Sequence, residues 1–358
     1  MTFRFLSVLI VFVIHPVLYA QLSFSGYSEI YFTSDFSNES NARDAWFYNH
    51  NLNNTIAPNV AILESEYKSK GVRARLDLMF GSYAGAIMTH EPNWSLPLAQ
   101  AYVGTDYKRF SFDAGIFESG IGMEVIKGAE NPTLTRSLVA ENTPYFLTGF
   151  RTRWEDRTGV IRVEGAIVNG WETVTRHAQN SHPGAMFRFR LGSNKVQLRY
   201  HFLYTNDRGG YTETTNGMIN GFTFKHALNS WQWFLGYDNV QWSGDAVHMP
   251  HLIIRKEFSE TWAAAVRGEY VFDQSTNFMS PVEETLLVSE RELNVWGTSI
   301  NVDYMPKKSL TLRAEVRYLE GQIDRIFQQA QLAPGSVIPT TTQAYENLSF
   351  TVAACVSF

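Results

Sequence analysis

The stretch Ser309-Leu310-Thr311-Leu312-Arg313-Ala314-Glu315-Val316-Arg317-Tyr318-Leu319-Glu320 alternates apolar and polar residues. Leu310, Leu312, Ala314, Val316 and Tyr318 share one parity; Thr311, Arg313, Glu315 and Arg317 share the other. A period of two sends these sets to opposite faces of a β-strand, and helical spacing does not fit them. Val72 to Phe80 reads the same way, with Arg73, Arg75 and Asp77 between Val72, Ala74, Leu76, Leu78 and Phe80. So does Ala185 to Leu191, where Phe187 and Phe189 oppose Arg188 and Arg190.

Working outward, about sixteen such segments can be traced. They begin near Leu22, Pro58, Val72, Ala99, Phe110, Phe146, Val160, Ala185, Val196, Ile219, Trp231, His251, Thr261, Leu293, Ser309 and Ala344. The connections alternate in length. Turn-like links such as Lys70-Gly71, Lys108-Arg109 and Ser259-Glu260 are short. Long ones cover residues 37–57, 82–98, 118–145, 170–183, 206–218, 242–250, 273–292 and 320–343. An even number of strands with both termini on the short-turn side follows.

A soluble sandwich also alternates, so the solvent that meets each face must decide. Only 18% of the residues are charged, against about 25% in an average soluble domain, and 14% are aromatic. Tyr27, Tyr31, Tyr67, Tyr107, Trp154, Tyr200, Tyr204, Trp231, Tyr237, Trp262, Tyr270, Tyr304 and Tyr318 stand where a barrel would carry its interfacial girdles. Arginines and acids mix on the other face, as a water-filled lumen allows. The expected fold is therefore all-β: a transmembrane antiparallel β-barrel of about 16 strands, with short periplasmic turns and long external loops.

The two ends of the chain agree with that reading. Residues 1–20 have Arg4, an apolar run from Phe5 to Ile14 and a small Ala20 before Gln21, the build of a cleaved secretory signal. Residues 21–358 are then the barrel. The last strand places Phe350, Val352, Ala354, Val356 and the terminal Phe358 on one face. An amphipathic last strand with a final aromatic is similar to the signal read by the barrel-assembly machinery. Lipid cannot satisfy an open sheet edge, so the first and last strands must pair.

Several stretches carry a family resemblance: Phe24-Ser25-Gly26-Tyr27, the FYNHNLNN of 47–54, the DAGIF of 113–117, the TLTRSLVAENTPYF of 133–146 and the NGW of 169–171. The chain resembles the β-barrel porin-2 (OmpL-like) family of Gram-negative outer-membrane porins. The resemblance implies an outer-membrane diffusion channel for small polar solutes or ions, and no particular substrate. By analogy with general porins it suggests a homotrimer.

Counting strands from a periplasmic N-terminus makes 118–145 the third external loop, with Glu118, Glu124, Lys127, Glu130, Arg136 and Glu141. By analogy with porins whose third loop narrows the pore, this loop is the constriction candidate. Its acids are expected to face a basic wall. The expected pore wall is Arg73, Arg75, Asp77, Asp113, Arg151, Arg153, Arg162, Arg188, Arg190, Arg199, Arg313, Glu315 and Arg317. Facing rows of opposite sign would set a transverse field and a size limit. The wall leans basic and the loop leans acidic, so the two oppose each other in any ion preference. A loop that caps the barrel or latches a neighbouring subunit is the competing reading.

No phosphate loop, dinucleotide glycine motif, zinc helix or G-x-S-x-G elbow occurs. No catalytic residue, cofactor or metal site is expected. His248 and His251 read as surface histidines at a loop-to-strand junction, and His201 as a lumen histidine. A single Cys, Cys355, excludes an intrachain disulfide, and its parity sends it inward. A net charge of −5 gives no sign of a nucleic-acid partner. The alternatives to a porin are a non-catalytic surface β protein, such as an adhesin or glycan binder, and less readily an outer-membrane hydrolase.

Overall fold

The computed structural model describes residues 21–37, 40–44, 46–88, 91–176, 182–206, 217–242, 245–273, 288–327 and 340–358. The expected signal segment 1–20 lies outside them. Sixteen antiparallel strands close into one barrel. They are β1 (Gln21–Asp35), β2 (Thr55–Ser69), β3 (Val72–Phe80), β4 (Leu98–Tyr107), β5 (Phe110–Glu118), β6 (Phe146–Glu155), β7 (Ile161–Val168) and β8 (Gly184–Gly192). The second half is β9 (Val196–Thr205), β10 (Gly217–Leu228), β11 (Trp231–Trp242), β12 (Asp245–Glu257), β13 (Trp262–Asp273), β14 (Val288–Lys307), β15 (Leu310–Phe327) and β16 (Thr340–Ser357). Two short helices, α1 (Ser82–Ile87) and α2 (Leu138–Glu141), sit in the long loops.

Every strand pairs with its neighbours in sequence, and β1 pairs with β16. The turns explain the registers. Lys70 and Gly71 both have positive φ, 45° and 82°, as a two-residue turn needs to match the strand twist. At the seam, the Gly26 N–H donates to the Phe358 carbonyl at 2.8 Å and the Phe358 N–H to the Gly26 carbonyl at 3.0 Å. The Phe358 ring lies over Gly26, where a Cβ would stand 2.3 Å from it. A larger residue there would displace the exposed Phe358 ring from its place over β1.

The alternation of 309–320 resolves as its parity requires. Leu312 and Val316 are exposed on the outer surface, while Arg313, Glu315 and Arg317 are buried inside. Tyr67, Tyr107, Tyr200, Trp231, Trp262, Tyr270 and Tyr304 also lie on the outer surface. Tyr27 and Tyr31, expected in the girdles, do not: both are buried inside the barrel. They share parity with Glu29, which donates nothing and can only be accommodated where donors surround it. The Tyr27 hydroxyl donates to Glu29 at 2.5 Å, and the Tyr31 hydroxyl accepts from the Leu52 N–H at 2.9 Å.

The expected loop 242–250 is mostly strand, because β12 already starts at Asp245. Pro250 can lie inside it because the β12–β13 ladder is interrupted there: His248 pairs with Phe272, and pairing resumes at His251 with Glu269. A missing N–H costs little at such a gap. His248 and His251 therefore point to opposite faces.

The inner face is not uniformly polar. Toward the long-loop end it carries an apolar belt that includes Val168, Leu203, Ile219, Val240, Val295 and Leu319. Trp46 and Phe47 from the first long loop, and Leu138 and Val139 from the third, pack onto it. Burying such a side chain contributes about 1.5–3 kcal/mol each. The barrel thus has a hydrophobic core inside it as well as an apolar skin.

Candidate functional site: a loop folded into the barrel

The third long loop runs between β5 and β6. Gly120 and Gly122, at φ 58° and 70°, turn the chain as it leaves β5, a region of backbone space that glycine enters without steric cost. Residues 131–139 are all buried. Ser137 caps α2 by accepting from the Ala140 N–H at 3.3 Å. Its own N–H donates to Glu124 at 3.1 Å, and its hydroxyl donates to the same carboxylate. Arg136 ties the two arms of the loop together through the carbonyls of Leu134 at 3.1 Å and Ile126 at 2.5 Å. Burial works against its charge, but Tyr145, Glu29, Glu124 and Glu141 outweigh it, so the guanidinium holds its proton more tightly than usual.

The loop is fastened to the wall of β12–β15 through its own backbone. Arg313 donates to the carbonyls of Gly128, Thr133 and Asn131 at 2.6, 3.1 and 3.1 Å. Arg267 donates to the Thr133 hydroxyl at 3.1 Å and the Thr135 carbonyl at 2.7 Å. In return, Glu315 accepts from the Thr135 N–H at 2.7 Å and Glu269 from the Leu138 N–H at 2.7 Å. The wall charges also pair among themselves: Arg267 with Glu315 at 3.0 Å, Arg317 with Glu269 at 2.6 Å and Arg313 with Asp303 at 2.6 Å. Hydrogen bonds to charged groups contribute about 1.5–3 kcal/mol apiece, and here they also supply partners for backbone groups that have no sheet to join.

The opposite wall is organised differently. Arg73 and Arg151 both reach Asp113, at 2.5 and 2.8 Å. Arg75 bridges Glu64 at 2.5 Å and Asp77 at 2.8 Å. Arg153 and Arg188 share Glu164, at 3.1 and 3.0 Å, and Arg162 and Arg190 share Glu155, at 2.7 and 3.0 Å. Arg199 bonds to the Gln197 amide oxygen at 2.5 Å. These side chains project inward from β2, β3 and β5 to β9.

The loop acids do not face that arginine row. Glu124 is turned into its own loop, as described, and Glu141 caps the first long loop, accepting from the N–H groups of Tyr48 and Asn49 at 3.0 and 2.9 Å. Burial lifts the Glu141 carboxyl above its usual range, with the Asn49 N–H and Arg136 pulling the other way. Lys127 reaches Glu64 at 2.6 Å, while Glu118 and Glu130 are exposed. The physical reason is competition. Strand carboxylates one register step away satisfy the arginines, so the loop's acids are free to bind N–H groups that would otherwise be buried without partners.

Sequence reasoning missed the role of the first long loop. His50 Nε2 lies 2.7 Å from Glu29, and Asn59 donates to the same carboxylate at 2.8 Å. The Ala129 N–H of the third loop donates to the Tyr27 hydroxyl at 3.1 Å. The two loops are thus joined to each other and to β1 around one buried carboxylate. The density of amides and His50 in 47–54, unusual for a solvated loop, was the available signal. Cys355 sits in the same cluster, its Sγ 3.6 Å from Glu29.

His201 projects inward, with Nε2 2.5 Å from Asp238. His251 is also inside, whereas His248 contacts the Tyr237 hydroxyl at 2.7 Å on the outer face. Among the described residues no group of three His, Cys, Asp or Glu side chains could hold a metal ion.

The barrel fold is shared with solved outer-membrane proteins at low sequence identity. OmpT of Vibrio cholerae, in its trimer form, is 9% identical, with a TM-score of 0.59 over 95% of this chain and 100% of that one. The anion-selective porin from Comamonas acidovorans is 8% identical, with a TM-score of 0.58 over 95% and 100%. The outer-membrane channel DcaP of Acinetobacter baumannii is 14% identical, with a TM-score of 0.55 over 95% and 97%. At these identities the likeness shows the fold. No curated protein matches the chain. The family model described as "Putative beta-barrel porin-2, OmpL-like" matches residues 21–358. The chain belongs to that family, and it is a porin of the Gram-negative outer membrane.

Proposed function

We propose that the protein lets small polar solutes and ions diffuse passively through a lumen narrowed by its third long loop, with no catalytic step. The observation that carries this reading is the two-sided anchoring of the loop. Its backbone is bonded to Arg267, Glu269, Arg313 and Glu315, and the carbonyls of Glu118 and Ser119 at its start accept from Arg151 and Arg188 at 3.5 and 3.0 Å. A segment held this way narrows a pore without needing to move. Residues 118–145 act as the constriction, and the arginines and acids of the wall set the field that solutes cross. The assembly is a homotrimer in outer-membrane lipid, and the strand ending in Phe358 is what the barrel-assembly machinery reads.

Purified mature protein in a planar bilayer tests this reading. Discrete, long-lived current steps of small size are expected. Folded, inserted barrels that pass no current would overturn it. Crosslinking in native membranes tests the trimer, and removal of Phe358 tests the assembly signal through the yield of folded barrel.

A further inference from the structure

We propose that the inner wall of β7–β9 carries an oxyanion-binding site made by Arg162, Arg188, Arg190 and Arg199, which favours phosphate- or carboxylate-bearing solutes; this rests on the channel reading above. These four guanidinium groups line one cavity of about 100 Å³, together with Gly120 and His201. At about 30 Å³ per water, that is room for a small hydrated anion.

The charge balance around the cavity is what points to an anion. Among the described residues Glu164 is the only carboxylate lining it, and Glu164 is shared by Arg188 at 3.0 Å, Arg153 at 3.1 Å and Arg151 at 3.9 Å. Glu155 divides itself between Arg162 and Arg190. Among the described residues Arg199 has no ion pair, and the Arg190 Nε, although buried, has no hydrogen-bond acceptor. Lys225, on the neighbouring strand and pointing inward beside Arg199, adds a further positive charge.

Position supports the same inference. The absence of a side chain at Gly120 lets the Arg188 guanidinium lie where a Cβ would stand 2.2 Å from it. Arg188 is thereby fixed against the loop, its Nη1 donating to the Ser119 carbonyl at 3.0 Å. Guanidinium forks match oxyanions in a bidentate way that a point charge does not. A low-dielectric barrel wall concentrates their field on the lumen.

The test uses the full mature chain in planar bilayers under a potassium chloride gradient, with inorganic phosphate as the probe. The expected result is chloride preference, with current reduced saturably by phosphate. Arg199→Gln should lower the chloride-to-potassium permeability ratio about threefold or more and abolish the phosphate effect. Arg199→Lys should keep the preference and lose the phosphate effect. A cation-preferring channel overturns the proposal while leaving the channel reading intact, and so does an anion preference that neither Arg199→Gln nor Arg190→Gln changes. If folded barrels pass no current, the channel reading falls. Calorimetry of phosphate binding in detergent then decides the site: saturable binding lost in Arg199→Gln supports it, and no binding overturns it.

Discussion

Arg313 and Arg190 lie on the same inner surface and belong to the same alternating pattern, yet they do opposite things. The side chain of Arg313 is 1% exposed and that of Arg267 is 0%, both spent on loop carbonyls and wall carboxylates. The side chain of Arg190 is 22% exposed and that of Arg162 32%, and the two share a single Glu155. One wall is a socket for the body of the loop; the other holds only the loop's first residues, through Arg151 and Arg188, and leaves Arg162 and Arg190 to the lumen. Inward-facing arginine in a barrel therefore has no fixed meaning; what the opposite side of the lumen supplies decides it.

Arg313→Ala strikes the socket most severely. It leaves Asp303 short of a partner and three loop carbonyls short of a donor. Removing one side of a buried pair costs about 3–5 kcal/mol. The loop should detach from its socket, seen as a larger single-channel conductance and faster protease cleavage within 119–145. Gly120→Val attacks the other side. A β-branched residue at φ 58° costs about 1–2 kcal/mol, and it pushes the Arg188 guanidinium into the lumen. The measured outcome should be a lower melting temperature with reduced conductance.

Arg190→Gln probes the lumen side. A partly exposed ion pair contributes about 0–1 kcal/mol, so the melting temperature should barely move while the reversal potential shifts. A mutant as unstable as Arg313→Ala would show that this wall, too, is structural. The smallest effect is expected at Glu172, which accepts from the Tyr145 N–H at 2.9 Å where the loop returns to β6. Burial, partly offset by that N–H and reinforced by Glu91, raises its pKa from 4.5 to about 8. The folded state thus holds a proton that the unfolded chain releases earlier. This contribution to stability is present below the unfolded value and is lost as pH rises through about 8. The melting temperature should fall between pH 5 and 8 by more in the wild type than in Glu172→Gln, measured at about 1-unit steps.

Much of the barrel was legible because strand parity is a strict code. Arg313, Glu315 and Arg317 alternate with Leu312 and Val316, and nothing in the fold could separate them. The parity rule also held where the aromatic rule failed. Tyr27 and Tyr31 look like girdle residues, but their parity with Glu29 sends them inward. Which loop enters the lumen was visible only by analogy, since length and glycine content do not tell direction. The partners of Glu124 and Glu141 were not visible at all. Their donors are chiefly backbone N–H groups, which every residue but proline carries, so no side-chain pattern marks them. The apolar belt at the long-loop end was hidden for a related reason. Val295 and Leu319 have inward parity, and an inner face read as a water-filled wall gives them no role until Trp46 and Phe47 are found packed on it.

The seam between Gly26 and Phe358 also sets an order of events. These two residues belong to the first and last strands of the barrel, so their contact spans a very long separation along the chain, and such contacts form late. The sockets for the third loop belong to β13–β15, which are made long after the loop itself. The loop and its socket must therefore meet while the cylinder is still an open, curling sheet, or thread into a space already shut. Closing the last rung is then a commitment step: it locks in whichever loop arrangement the interior has already reached.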